Sequence, residues 1–201
     1  MYFWRSNLSG MKLTKQTILF LFILVAVSTI VKIICAPQIN LSGFTCVIAV
    51  SLFAGLTIKD KKIAFLFPLL ALFISDVLLQ GLYALNLFPY SGFYSGQITN
   101  YALFILITLI AISLRNYKIA GIVAAAFIGP TVFFLLSNFV VWKTQGAVMG
   151  YSNNFSGLMQ CYVFGIPFYR NSLVSTVIFL PAFIVAYHWL VFGKLKLQTA
   201  K

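Results

Sequence analysis

The chain has 201 residues, of which 62% are hydrophobic and only 8% charged, where a soluble domain carries about 25% charged residues. No soluble core of this length hides so much apolar surface, so a water-soluble fold is excluded and the bilayer is the solvent for most of the chain. The net charge of +12 does not point to nucleic acid, because the basic residues stand in short clusters between apolar runs, where membrane topology puts them.

Arg5, Lys12 and Lys15 precede the first apolar run, residues 17–36. The run lacks a small-x-small cleavage site and others follow it, so it reads as a retained signal anchor. The second run, residues 41–58, ends at Lys59, Asp60, Lys61 and Lys62. The third, residues 63–88, contains Asp76. The fourth, residues 99–114, is the shortest, and Arg115 and Lys118 divide it from the fifth, residues 119–142. A long connection, residues 143–171, leads to the sixth run, residues 172–192, and then to Lys194, Lys196 and Lys201. Each run approaches the ~20 residues that cross about 30 Å of hydrocarbon. Their continuous apolarity argues against barrel strands, which alternate. The expected fold is all-α, a polytopic membrane protein with a single six-helix transmembrane bundle over residues 1–201.

Eleven of the fourteen Lys and Arg residues fall on one side of this arrangement; Lys32, Lys143 and Arg170 fall on the other. The positive-inside rule then places both termini in the cytoplasm of a multi-pass inner-membrane protein. The cytoplasmic turns are too short for an active site. The outer connections are longer and aromatic, and the apolar stretch 158–168 reads as a re-entrant or interfacial segment.

Asp76 is the residue that asks most of the fold. A charge at the centre of a span costs roughly 2.5–3.5 kcal/mol on insertion scales. It therefore needs a partner, a proton or a wet cavity. Asp76, Gln80 and Tyr83 share a helix face. Asn138 and Trp142 share another with Thr131 and Phe134, and Asn100 and Tyr101 open the fourth helix at the same depth. Polar groups converging beside aromatic walls have the form of a small-molecule pocket. The alternative is structural: Asp76 pairs with Lys32 or Arg170, Asn138 ties two helices together, and Trp142 is an interfacial anchor. Gly121, Ala125 and Gly129 make a small-residue stripe that lets another helix of this chain, or another subunit, approach closely.

Cys35, Cys46 and Cys161 have neither metal-ligand nor paired spacing. The chain has one His, two Asp and no Glu, and lacks Walker A, HExxH and GxSxG patterns. General acid–base or metal chemistry has little to work with, so neither catalysis nor a metal or other cofactor is expected.

Five stretches carry a resemblance: SLFAGLTI beginning at Ser51, PLLALFISD ending at Asp76, FFLLSNFVVW ending at Trp142, GLMQCY ending at Tyr162, and GIPFYRN ending at Asn171. Together they resemble a family of uncharacterised six-span bacterial membrane proteins. In size and layout that family is similar to the substrate-capture (S) components of energy-coupling factor transporters. Those bind vitamins or metal ions near the outer face and borrow ATPases through a coupling membrane subunit. The resemblance implies functional positions at Asp76, Asn138, Trp142, Tyr162 and Arg170. The first helix lacks the Ala-xxx-Ala docking motif of S components. With the shared faces added, the candidate solute-binding set is Asp76, Gln80, Tyr83, Asn100, Asn138, Trp142, Tyr162 and Arg170. The expected function is capture of a small, vitamin-like solute for uptake, energised by partner subunits. The rivals are a membrane scaffold in envelope assembly and a stand-alone proton-coupled transporter using Asp76.

Overall fold

A computed structural model describes residues 14–192. Arg5, Lys12, Lys194, Lys196 and Lys201, which weigh in the charge count, and most of the retained-anchor segment's basic start lie outside the described residues. Six α-helices and no strand occur among the described residues: α1 (Lys15–Cys35), α2 (Val47–Thr57), α3 (Lys61–Ala84), α4 (Gln97–Leu114), α5 (Lys118–Gln145) and α6 (Phe155–Phe192). All but α2 are long and apolar enough to cross a membrane. The chain is a multi-pass membrane protein.

The caps follow from local chemistry. Thr14 starts α1 by accepting the Thr17 N–H at 3.2 Å. Asp60 starts α3 by accepting the N–H groups of Lys62 and Ile63 at 2.8 and 3.3 Å. One of the two acidic residues in the chain is thus an N-cap, satisfying donors the helix leaves free.

The five long helices form a ring in the order α1, α3, α4, α5, α6 and back to α1, and α2 contacts every one of them from the centre. Ten of its eleven residues are buried. The run 41–58 is therefore not a sixth span facing lipid, as its hydropathy predicts. Its helical part covers about 16 Å, and it is apolar all round because protein surrounds it on all sides. The segment that leads into it, residues 36–46, is mostly irregular backbone. Part of that backbone is satisfied by side chains of the last helix. Asn171 of α6 donates to the Asn40 and Ser42 carbonyls, each at 2.9 Å, and Ser175 donates to the Thr45 carbonyl at 2.9 Å. At the other end Arg115 donates to the Gly55 carbonyl at 2.7 Å and to that of Ile58 at 3.1 Å.

The last third of the chain differs from its sequence reading in a second way. The connection 143–171 is not a loop. Helix α5 runs on to Gln145 and α6 begins at Phe155, so no re-entrant segment stands at 158–168. At 38 residues, α6 is about 57 Å long, well beyond the hydrocarbon thickness, and must tilt, bend or emerge. Pro167, Arg170 and Asn171 broke the hydropathy run without breaking the helix, which also takes Pro181 into its interior. The small-residue stripe is spent within the chain, since Ala125 is fully buried and Gly129 lies against Leu52 of α2.

Candidate functional site

Three ring helices are tied together at Asp76. It stands about 22 Å along α3 from Lys61, and 1% of its surface is exposed. Lys32, in the last turn of α1, forms an ion pair with Oδ1. Gln97 Nε2 donates to Oδ2 at 2.6 Å and the Tyr101 hydroxyl donates to the same oxygen at 3.0 Å. Gln97 also donates to the Tyr101 hydroxyl at 2.8 Å. Gln97 and Tyr101 reach the carboxylate together because they are four residues apart at the start of α4. A buried ion pair holds only when the remaining lone pairs are also satisfied, and here both carboxylate oxygens are.

The chain after α3 folds back over this group. Asn86 takes φ 58°; its N–H bonds to the Tyr83 carbonyl at 3.0 Å and that of Leu87 to the Leu82 carbonyl at 2.9 Å. This is a left-handed Schellman cap, with Asn in the position usually held by Gly. Gln80 Oε1 then accepts from Ser91 Oγ at 2.7 Å and from the N–H groups of Gly92 and Phe93 at 3.1 and 3.3 Å. Gly92 sits so close to α3 that a Cβ there would lie 2.0 Å from the Asp76 carbonyl oxygen. Only glycine allows this approach.

Between α1, the end of α3 and this loop lies a cavity of about 510 Å³, walled by Lys32, Leu79, Tyr83, Phe88, Tyr90 and Tyr94 among others. The Lys32 side chain is 22% exposed and that of Asp76 1%, so of the pair it is Lys32 that lines the cavity. A second cavity, of about 440 Å³, shares Tyr94 and lies against Asn100 of α4 and Ser137 of α5. Asn100 Nδ2 donates to the Tyr94 hydroxyl. Desolvation pushes the Tyr94 phenol above its ordinary value, the Asn100 hydrogen bond opposes the shift and the Asp76 charge adds to it. The phenol therefore stays protonated at neutral pH.

The residues predicted on α5 and α6 form a separate cluster. Asn138 Nδ2 donates to the Phe134 carbonyl of its own helix at 2.9 Å. Cys161 Sγ approaches the Asn138 carbonyl at 3.5 Å, and the Tyr162 hydroxyl donates to the Leu135 carbonyl at 2.9 Å. The Thr131 and Tyr169 hydroxyls stand 2.9 Å apart, and Trp142 Nε1 donates to the Ser152 carbonyl at 3.0 Å. These bonds stitch α5 to α6 and to the turn between them. Arg170 is exposed; the ion pair of Asp76 is with Lys32.

Of the eight predicted site residues, Asp76 backs the larger cavity, Tyr83 lines it, and Gln80 holds the loop over α3. Asn100 lines the smaller cavity. Asn138, Trp142 and Tyr162 line neither of these two cavities. Lys32, expected at this depth and as a possible partner of Asp76, is a wall of the cavity; the prediction missed Tyr94 as the shared boundary and Gln97 as a partner of Asp76. The signal for Gln97 was its spacing from Tyr101.

A family model described as a family of unknown function (DUF6580) matches residues 12–199. No curated protein matches the chain, and no solved structure does.

Proposed function

The chain belongs to that family of unknown function (DUF6580), a membership that assigns no activity, and from the site itself we propose that it captures a small solute in the membrane. The supporting observation is the cavity of about 510 Å³ set against the Lys32–Asp76 pair. Its size falls in the range of small-molecule sites, and apolar and aromatic walls around a few fixed polar groups are how such sites are built. Charge inside a membrane protein marks solute and ion pathways more often than scaffolding. In this reading both termini are cytoplasmic, the cavity faces outward, and the layout is that of an S component working with a coupling membrane subunit and its ATPases.

The protein is tested as purified from its own membranes. Native mass spectrometry should find a small molecule retained by the wild type and lost on Tyr83→Ala. A protein that carries nothing, and whose thermal unfolding no member of a solute library shifts, is a scaffold. Concentrative uptake by vesicles holding this chain alone under a proton gradient would instead assign the stand-alone transporter.

A further inference from the structure

The orientation of the buried ion pair fixes the charge of what the cavity takes. Asp76 offers the cavity no acceptor, since its side chain is 1% exposed and both oxygens are engaged, Oδ1 by Lys32 and Oδ2 by Gln97 and Tyr101. Lys32 has donors to spare. An ammonium carries three N–H groups, and among the described residues Asp76 is the one hydrogen-bonded partner of Lys32. Lys32 is the charged residue among those that line the cavity. The pair is neutral as a whole, but its cationic member lines the cavity and its anionic member does not. Around the ammonium stand Leu79, Phe88 and the rings of Tyr83, Tyr90 and Tyr94. The Ser91 hydroxyl, which also lines the cavity, is turned to Gln80 and the Phe93 carbonyl.

We propose that the cavity binds a small organic monoanion, a carboxylate carried on an apolar or aromatic body, with the carboxylate on Lys32 and the body against the tyrosine and phenylalanine walls. A carboxylate completes the hydrogen bonding of Lys32 at a short, charge-assisted distance, whereas a cationic ligand meets an ammonium it cannot displace without breaking the Asp76 pair. This assignment rests on the capture reading and narrows it.

The test uses three probes that share one body, 4-phenylbutyrate, 4-phenylbutylamine and 4-phenylbutanol, added to the full-length protein in nanodiscs of zwitterionic lipid. The readout is the thermal midpoint against probe concentration. The carboxylate should stabilise at concentrations at least tenfold lower than the amine or the alcohol. Lys32→Arg should keep that order. Because Lys32→Met alone strands a buried carboxylate, the anion preference is removed with the neutral double variant Lys32→Met/Asp76→Asn, which should bind carboxylate and alcohol alike. Equal stabilisation by all three probes in the wild type overturns the charge assignment and leaves the capture reading standing. Stronger stabilisation by the amine, an anion preference that persists in the folded double variant, or no stabilisation by any of the three also overturns it.

Discussion

Two polar clusters lie toward the same end of the bundle, and they are built on opposite principles. The one at α5 and α6 is neutral, and its donors are turned onto backbone carbonyls of the same two helices or the turn between them, or onto one another. The one at α1, α3 and α4 is charged, and it satisfies its acid completely while leaving its base with free donors beside a cavity. Polar residues in a membrane protein are therefore not equivalent evidence of function. What matters is whether a donor is left over once the helices are joined.

The contrast is broken most directly at Lys32. Lys32→Met leaves Asp76 as an unpaired charge that is 1% exposed, and removing one partner of a buried pair costs about 3–5 kcal/mol. Thermal unfolding in detergent should show this loss, and adding Asp76→Asn should restore most of it. If the single variant is as stable as wild type, the pair is not buried in the sense described.

A smaller effect should follow from bulk in the neutral cluster. A Cβ at Gly165 would stand 2.6 Å from Asn138 Oδ1, so Gly165→Leu wedges α5 from α6. Overpacking of this kind costs about 1–3 kcal/mol. The carboxylate probe should still raise the melting point by its wild-type increment, because neither cavity wall is touched. A lost increment would join the two clusters into one site.

The smallest effect belongs to Tyr162→Phe, which removes a single interhelical hydrogen bond. Such bonds average about 0.6 kcal/mol in a membrane helix bundle. Stability should fall by about that much, with probe binding unchanged. A loss of binding without a loss of stability would return Tyr162 to the site that its sequence motif suggests.

The difference between the clusters was only half visible in the sequence. Asp76 stands out because an acid in an apolar run has a known cost, and Lys32 is at the right depth to answer it. Asn138, Trp142 and Tyr162 look equally functional in sequence, since periodicity shows which residues share a face but not whether the bond made there is to a ligand or a carbonyl. The helix starts at Lys15, Lys61 and Lys118 were legible from charge. A helix within 41–58 was legible too, but not its place at the centre, because hydropathy measures apolarity and cannot tell a neighbour made of lipid from one made of protein. The length of α6 was hidden for the reverse reason: Arg170, Asn171 and Pro167 interrupt the apolar run, while the packing against α5 keeps the helix going.

The central helix also sets an order of assembly. The carbonyls of Asn40 and Thr45 wait for side chains 131 and 130 residues further along the chain. Synthesis runs from the N-terminus at about 5–20 residues per second, so those carbonyls emerge several seconds before Asn171 and Ser175 exist. During that interval those two carbonyls lack the side-chain donors they have in the folded chain. The ring around α2 is complete only with the last helix, and a chain that stops after α5 lacks the donors that hold the Asn40, Ser42 and Thr45 carbonyls.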